Sequence, residues 1–387
     1  MIMLPKLVIK NALRHKFRTT LTILGIAVAV GAFGLLRTVI TSWYAAVEAT
    51  ATDRLITRHA VSFIFPLPYS YGDKIAKAQG VENVTYFNWF QGVYKDKSEF
   101  FPRMACDPQT IFDVYPEFIV TPEEKEAFQK ERNACVLGED IAKKYNLKVG
   151  DAMSIEGDIY PGKWDFVIRA IYKPRSEAVD GTQMFFHWQY LDERMKQDMP
   201  TRAGYIGWYA AKISDPNQAA AISEYVDGLF ANSSAETKTE TERAFNQGFI
   251  GAYSAIITGI NIMAFMIIGV ILMVLTNTMI MSARERSREY AVMKTLGFTG
   301  KHILGVVSGE SIFISILGGA AGYGLTLLFV GAFAIVVPKN FFPVFILEPV
   351  TIMQEFGFAI LVGVIAGIIP VVQAVRIKIV DGLRYAG

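Results

Sequence analysis

Four long apolar blocks, nearly free of charge, decide what this chain can fold into. They are Leu21–Leu36, running on past Arg37 to Val47, then Phe249–Ala283, Ser311–Val337 and Phe356–Val375. Each reaches the roughly 18–20 apolar residues that a helix needs to cross a bilayer core. Uncharged runs of this length are rare in soluble cores, so the sequence predicts four transmembrane helices. Of the 387 residues 52% are hydrophobic and only 19% are charged, against about 25% in ordinary soluble domains. That balance excludes an intrinsically disordered chain, and two cysteines exclude a disulfide scaffold.

Charge is placed unevenly around the blocks. Lys6, Lys10, Arg14, Lys16 and Arg18 precede the first block with no acid among them; Arg284, Arg286, Arg288, Lys294 and Lys301 follow the second; Arg376, Lys378 and Arg384 follow the fourth. The positive-inside rule assigns these three short flanks to the cytoplasm. Both termini are then predicted inside, and residues 41–249, with 23 Lys/Arg against 30 Asp/Glu, outside. Ala49-Thr50-Ala51 resembles a signal-peptide cleavage site. The long basic leader and the length of the first apolar run favour a retained span instead. The four-residue spacing of Lys6, Lys10, Arg14 and Arg18, with Leu4, Leu7 and Val8 on another side, predicts an interfacial helix.

The predicted fold class is an α-helical membrane protein with four transmembrane helices plus a large α/β extracytoplasmic domain between helices 1 and 2. Its segments are a cytoplasmic amphipathic basic helix (1–20), transmembrane helix 1 and stalk (21–47), the α/β domain (48–245), and stalk plus transmembrane helix 2 (246–283). A cytoplasmic coupling helix (284–301), transmembrane helix 3 (303–337), a short outer loop (338–355), transmembrane helix 4 (356–375) and a cytoplasmic tail (376–387) complete it. Phe249–Ala283 would be about 52 Å long as one helix at 1.5 Å per residue, more than the roughly 30 Å hydrocarbon core. Its excess predicts an outward stalk, as does that of the first span. In the domain, Val61–Phe65, Val84–Phe90, Ala152–Ile155, Phe166–Tyr172 and Tyr205–Ile213 read as strands. Gly72–Gln79, Pro122–Arg132, Glu139–Tyr145 and Asn217–Phe230 read as helices, and the polar tract Ala231–Glu242 as a linker.

Catalytic patterns are missing from the sequence. It has no His-Glu-x-x-His and no Gly-x-Ser-x-Gly; His59 and His187 stand alone and read as structural, and no metal site is predicted. Glu123, Glu124 and Glu126 read as a solvated helix face. Cys106 and Cys135 form a candidate disulfide, the alternative being two buried thiols. Gly297-Phe298-Thr299-Gly300-Lys301-His302 has neither the spacing nor the hydroxyl of a phosphate loop. No mid-membrane acid or base is read that would suit a proton relay; Glu310 is placed near the cytoplasmic end of the third span. Any driving force would have to come from another polypeptide. Gly318/Gly322 and Gly363/Gly367 have the four-residue spacing that lets membrane helices pack closely. After the second block, Arg284–Gly297 predicts a short helix ended by Gly297. Tyr290, Met293 and Leu296 would give it an apolar edge fit for a protein groove.

That segment resembles the permease subunits of the MacB/FtsX/LolC-E superfamily of ABC transporters. Arg284, Arg288, Glu289, Lys294, Leu296 and Gly297 match their post-span-two motif, while Tyr290 and Ala291 depart mildly. Glu310 followed by Leu317-Gly318-Gly319 and Gly322 resembles the family's opening of span three. Gly367-Ile368-Ile369-Pro370 with Ala374 and Arg376 resembles its exit from span four, and Gly382-Leu383-Arg384 its terminus. Lys378-Ile379 replaces the usual Asp-Pro there, and Val372 and Gln373 replace two arginines. Asn133–Glu139, Leu147–Asp151, Asp107-Pro108 and Ile171–Pro174 are similar to the MacB periplasmic domain.

The resemblance implies a multi-pass permease of the bacterial inner membrane, MacB-like but without a fused ATPase domain and non-catalytic by itself. It implies an ABC ATPase subunit in trans, which carries ATP and Mg, and a second permease copy or paralogue. A periplasmic adaptor or lipoprotein and membrane lipids are further implied partners; nucleic acid is not. The ATPase-docking residues would be Arg284, Arg288, Glu289, Tyr290, Met293, Lys294, Leu296 and Gly297. ATP hydrolysis by the partner would drive the periplasmic domains by mechanotransmission, exporting a substrate from the periplasmic side. The alternative is an FtsX-like regulatory subunit that activates a cell-wall hydrolase and transports nothing.

Overall fold

A computed structural model of the chain describes residues 3–48, 50–97, 100–336 and 345–377. The chain opens with α1 (Met3–Ala12) and α2 (Lys16–Glu48), followed by β1 (Arg54–His59), β2 (Leu67–Pro68), α3 (Tyr71–Ile75), β3 (Val81–Trp89) and β4 (Arg103–Cys106). Next come α4 (Ile111–Val114), β5 (Phe118–Ile119), α5 (Pro122–Lys130), β6 (Ala134–Gly138), α6 (Glu139–Tyr145), β7 (Ala152–Gly157) and β8 (Gly162–Pro174). Then follow β9 (Met184–His187), α7 (Trp188–Asp198), β10 (Tyr205–Ile206), β11 (Trp208–Ile213), α8 (Ala219–Leu229), β12 (Thr237–Thr241) and α9 (Glu242–Ala252). The chain continues through α10 (Ser254–Glu285), α11 (Ser287–Thr295), α12 (Gly300–Val336) and α13 (Pro349–Arg376). It divides into two compact units, an all-helical one and an α/β one built on residues 43–252.

Among the described residues, the helical unit holds four helices long and apolar enough to cross a membrane: α2, α10, α12 and α13. α10 begins only at Ser254, because Tyr253 leaves helical geometry, so the 249–283 run is not one continuous helix. α13 begins at Pro349, whose missing N–H costs nothing in a first helical turn. Glu355 therefore sits inside that helix, not at its edge. It is 1% exposed, and its Oε1 lies 2.6 Å from the Thr326 hydroxyl of α12. Glu310 is likewise buried within α12. Glu355, expected to bound the fourth span, is thus a buried acid within its helix.

The predicted interfacial helix breaks at residues 13–15, and α1 packs on α12, with Val8 against Gly309. Arg37 is held by Gln354 at 3.1 Å and Asn261 at 3.2 Å, tying α2 to α13 and α10. Small residues set the spacing of the bundle. A Cβ added at Gly318 would lie 2.5 Å from Ile26, and one at Gly322 2.6 Å from Val30. Gly363 and Gly367 meet the hydroxyls of Ser315 and Ser311 in the same way, at 2.6 and 2.7 Å.

The α/β unit is built on one mixed sheet in the order β12-β1-β11-β3-β4-β9-β6-β8-β5, with β7 on β8. β4 pairs β9 in parallel, and β6 pairs β8 in parallel; the other ladders are antiparallel. Side chains alternate between faces, so the sheet feeds two cores. One contains Cys135, Leu137, Phe166 and Phe186; the other contains Cys106, Val136, Phe185 and Trp208. The strand expected at Val61–Phe65 falls at Arg54–His59 instead. The expected 231–242 linker contains edge strand β12, whose Thr237 and Thr239 point inward and are buried. The Thr57 and Thr239 hydroxyls meet at 2.9 Å across that ladder.

The candidate disulfide is also corrected. Cys106 and Cys135 are free and buried. β9 runs between their strands, placing them two strand spacings apart, about 10 Å, beyond the roughly 7 Å reach of a disulfide. Moreover, they serve opposite cores. Glu124 has a local duty: with Thr121 it forms a capping box at the start of α5.

Candidate functional site

The connection between α10 and α12 is anchored from several sides. Arg286, the residue between α10 and α11, donates through Nη1 to Glu310 at 2.8 Å and through Nε to Glu289 at 3.0 Å. The Arg286 and Glu310 side chains are each 6% exposed. Glu289 also accepts from Arg14, and Glu285 accepts from Arg18 at 2.8 Å. One chain of ion pairs thus links the N-terminal segment, α11 and α12. Burial acts to raise the Glu289 carboxyl, but hydrogen bonds from Arg14 and Arg286 outweigh it and hold the group below its usual range.

The rest of the inner face of α11 is just as fixed. Tyr290 is buried in the helical core, and burial pushes its phenol up to about 12. Met293 packs against the same core. Lys294 Nζ donates to the carbonyls of Val375 at 2.7 Å and Ile377 at 2.6 Å, groups that lack partners within their own helix at its C-terminus. Gly297, at φ +90°, turns the chain out of α11, while Gly297 N–H donates to Lys294 and Phe298 N–H to Met293.

The structure therefore splits the eight sequence-selected residues. Tyr290, Met293 and Lys294 turn inward onto the chain's own helices, so the expected apolar edge is not an open one. On α11, Arg288, Val292 and Leu296, each four residues apart, form the exposed stripe, and Leu296 is 72% exposed; Arg284 is exposed on the last turn of α10. Glu289 is spent on internal ion pairs. Arg286, Arg14 and Arg18 were not selected from the sequence as site residues. The available signal was a lone acid, Glu310, early in an apolar helix beside an arginine-rich segment. The terminal Gly382-Leu383-Arg384 and Lys378-Ile379 lie outside the described residues. Among the described residues, no cluster of His, Cys, Asp and Glu could hold a metal ion.

Four membrane-spanning helices with a large α/β domain inserted after the first define a multi-pass membrane permease architecture. Residues 19–229 match the MacB-like periplasmic core domain, and residues 261–379 match the FtsX-like permease C-terminal family. The chain belongs to this MacB-like, FtsX-like family of ABC transporter permeases. It is similar to the pyoverdine export ATP-binding/permease protein PvdT of Pseudomonas fluorescens Pf0-1, with 31% identity over 38% of this chain and 20% of that protein. Identity to the macrolide export ATP-binding/permease protein MacB of Bdellovibrio bacteriovorus is 28% over 35% of this chain and 18% of that one. The chain thus spans about a fifth of the length of these relatives. An uncharacterized ABC transporter permease of Methanocaldococcus jannaschii is 22% identical over 80% of this chain and 77% of its own length. The crystal structure of the periplasmic region of MacB from Actinobacillus actinomycetemcomitans aligns over 52% of this chain and 95% of that one, with 13% identity and a TM-score of 0.38.

Proposed function

We propose that this chain is the permease subunit of an ABC exporter of the bacterial inner membrane, with both termini cytoplasmic and its motor on a separate ATPase subunit that carries ATP and Mg. The observation that supports this reading is the two-sided construction of α11. Its inner face is fixed to α12 through Arg286–Glu310, to the N-terminal segment through Glu289–Arg14, and to the end of α13 through Lys294. Its outer face offers the stripe Arg288–Val292–Leu296, with Arg284 exposed nearby at the end of α10. A push on that stripe is shared at once among the turn at residues 13–15, α12 and α13, as mechanotransmission requires. The working unit is a dimer with a second copy or a paralogue, and the periplasmic domain expels substrate, with an adaptor or lipoprotein as its outer partner.

Affinity purification of the full chain from native membranes tests this reading. An ABC ATPase should accompany the wild type, and Leu296→Glu should reduce its recovery at least about tenfold with membrane insertion unchanged. Undiminished recovery with Leu296→Glu counts against docking on this stripe. Recovery of a cell-wall hydrolase in place of an adaptor or lipoprotein selects the regulatory alternative.

A further inference from the structure

A cavity of about 270 Å³ opens on one face of the sheet in the α/β unit. Its floor is made by side chains that neighbouring strands present to that face: Ile56 of β1, Phe87 of β3, Met104 of β4, Phe185 of β9 and Trp208 of β11. Tyr115, Phe118 and Phe245 bring further rings to its walls. Such a mixture of aromatic surface and a few placed polar groups is the usual make-up of a small-molecule site.

The polar groups are unbalanced in sign. Arg54 is the one cation among the lining residues, and Glu117, Glu242 and Asp180 are the acids. Arg54 is already engaged: it contacts Glu117 at 2.6 Å and Glu242 at 2.6 Å, with its guanidinium 4.1 Å over the Tyr115 ring. Its single charge cannot neutralise two carboxylates. Asp180 accepts from the Thr182 hydroxyl at 2.6 Å and the Gln183 amide at 3.1 Å, both neutral donors. Burial pushes the Glu242 and Asp180 carboxyls up from their ordinary range, Arg54 and the Thr182 bonds respectively opposing it. Negative charge held beside aromatic faces favours an organic cation, which gains from both the carboxylates and the ring quadrupoles.

We propose that this cavity is a binding site for small amphipathic organic cations, an ammonium or guanidinium head near Asp180 and Glu117 with an apolar body against Trp208, Phe87 and Met104. The site lies wholly within the α/β unit. Its occupancy is independent of whether an ATPase docks elsewhere on the chain.

Benzyltrimethylammonium is a suitable probe, with 2-methyl-1-phenyl-2-propanol as its uncharged near-isostere and phenylacetate as the anion. The full chain in lipid nanodiscs, carrying methyl-labelled methionine, reports binding through the Met104 methyl signal. The cation should give a saturable shift by about 20 mM, as expected for so small a ligand. The alcohol should bind at least about tenfold more weakly, and phenylacetate should give no shift. Asp180→Asn, and separately Glu117→Gln, should weaken the cation at least about fivefold while leaving the alcohol unchanged. The proposal is overturned if the alcohol binds as well as the cation, if neither variant weakens the cation, or if no saturable shift occurs.

Discussion

Arg286 and Glu310 form a nearly water-free ion pair, 2.8 Å apart, between the start of α11 and the body of α12. Removing one partner of such a pair costs about 3–5 kcal/mol, because the other charge stays buried. Arg286→Met should therefore lower the unfolding midpoint of the detergent-solubilised protein strongly. Adding Glu310→Met should restore much of it, since no charge is then stranded. A double variant no more stable than Arg286→Met alone would show that the two charges do not depend on each other.

Glu289 gives a different readout. It bonds Arg14 and Arg286, so Glu289→Lys places a third cation between two others. Membrane insertion should be unaffected, while protease cleavage near residues 13–15 should become at least about fivefold faster as that turn loosens from α11. An unchanged cleavage rate would mean that this ion pair does not hold the N-terminal segment. Because Leu296→Glu alters only the open stripe, the two variants separate loss of docking from loss of coupling.

The sequence announced these features unequally. Long apolar runs are decided by bilayer thickness, a constraint local enough to read directly, and all four spanning helices follow from it. Their ends are less legible. Glu355 looked like a boundary because a charge usually ends a span, yet Thr326 gives it a partner within the bundle. In the domain, β8 shows the alternation of a half-buried strand, whereas β4, β6 and β9 are buried on both faces and carry no alternation to read. β12 is a short edge strand of Thr, Lys and Glu, whose polarity imitates a linker. At α11 the motif could be seen, but helical spacing alone could not say which face turned inward. Tertiary packing of Tyr290 and Lys294 decided that.

His187 makes the stability of the α/β unit depend on pH. It is 3% exposed, with Nε2 2.6 Å from the Phe128 carbonyl. Burial lowers its basicity from the ordinary 6.5, partly opposed by that hydrogen bond. The unfolded chain then binds the proton more readily, so the contribution is complete above about pH 6.5 and declines as pH falls through it, by at most about 1.4 kcal/mol per pH unit. His187→Gln keeps a donor for Phe128 and cannot titrate. The difference in unfolding free energy between wild type and this variant should change with pH only below about 6.5; a pH-independent difference would remove the linkage.

Free thiols give a direct check on the sheet order. With β9 between β4 and β6, Cys106 and Cys135 should not cross-link. Non-reducing electrophoresis after oxidation should show the same mobility for wild type and Cys106→Ser. Maleimide labelling of both thiols should require denaturant, since each side chain is fully buried. A mobility shift abolished by either serine substitution would contradict the order of these strands.

Close helix approach makes a contrast among glycines that sequence spacing cannot. A Cβ at Gly34 would fall 1.7 Å from Glu355 Oε1 and 2.5 Å from the Thr326 hydroxyl, whereas one at Gly324 or Gly269 meets nothing within 4 Å. Gly34→Ala must displace the Glu355 carboxyl and the Thr326 side chain or move α2 away from α12 and α13, and overpacking of this kind costs about 1–3 kcal/mol. Gly322→Ala, facing Val30 at 2.6 Å, should behave similarly. Gly324→Ala and Gly269→Ala should be neutral or slightly stabilising, because alanine is the better helix former by about 1 kcal/mol. Thermal unfolding of the four variants in one detergent decides the matter: equal midpoints for Gly34→Ala and Gly324→Ala would mean that α2 does not approach α12 and α13 closely at this level. The same comparison reads out Glu355, since Gly34 is where backbone leaves room for that carboxyl inside the bundle.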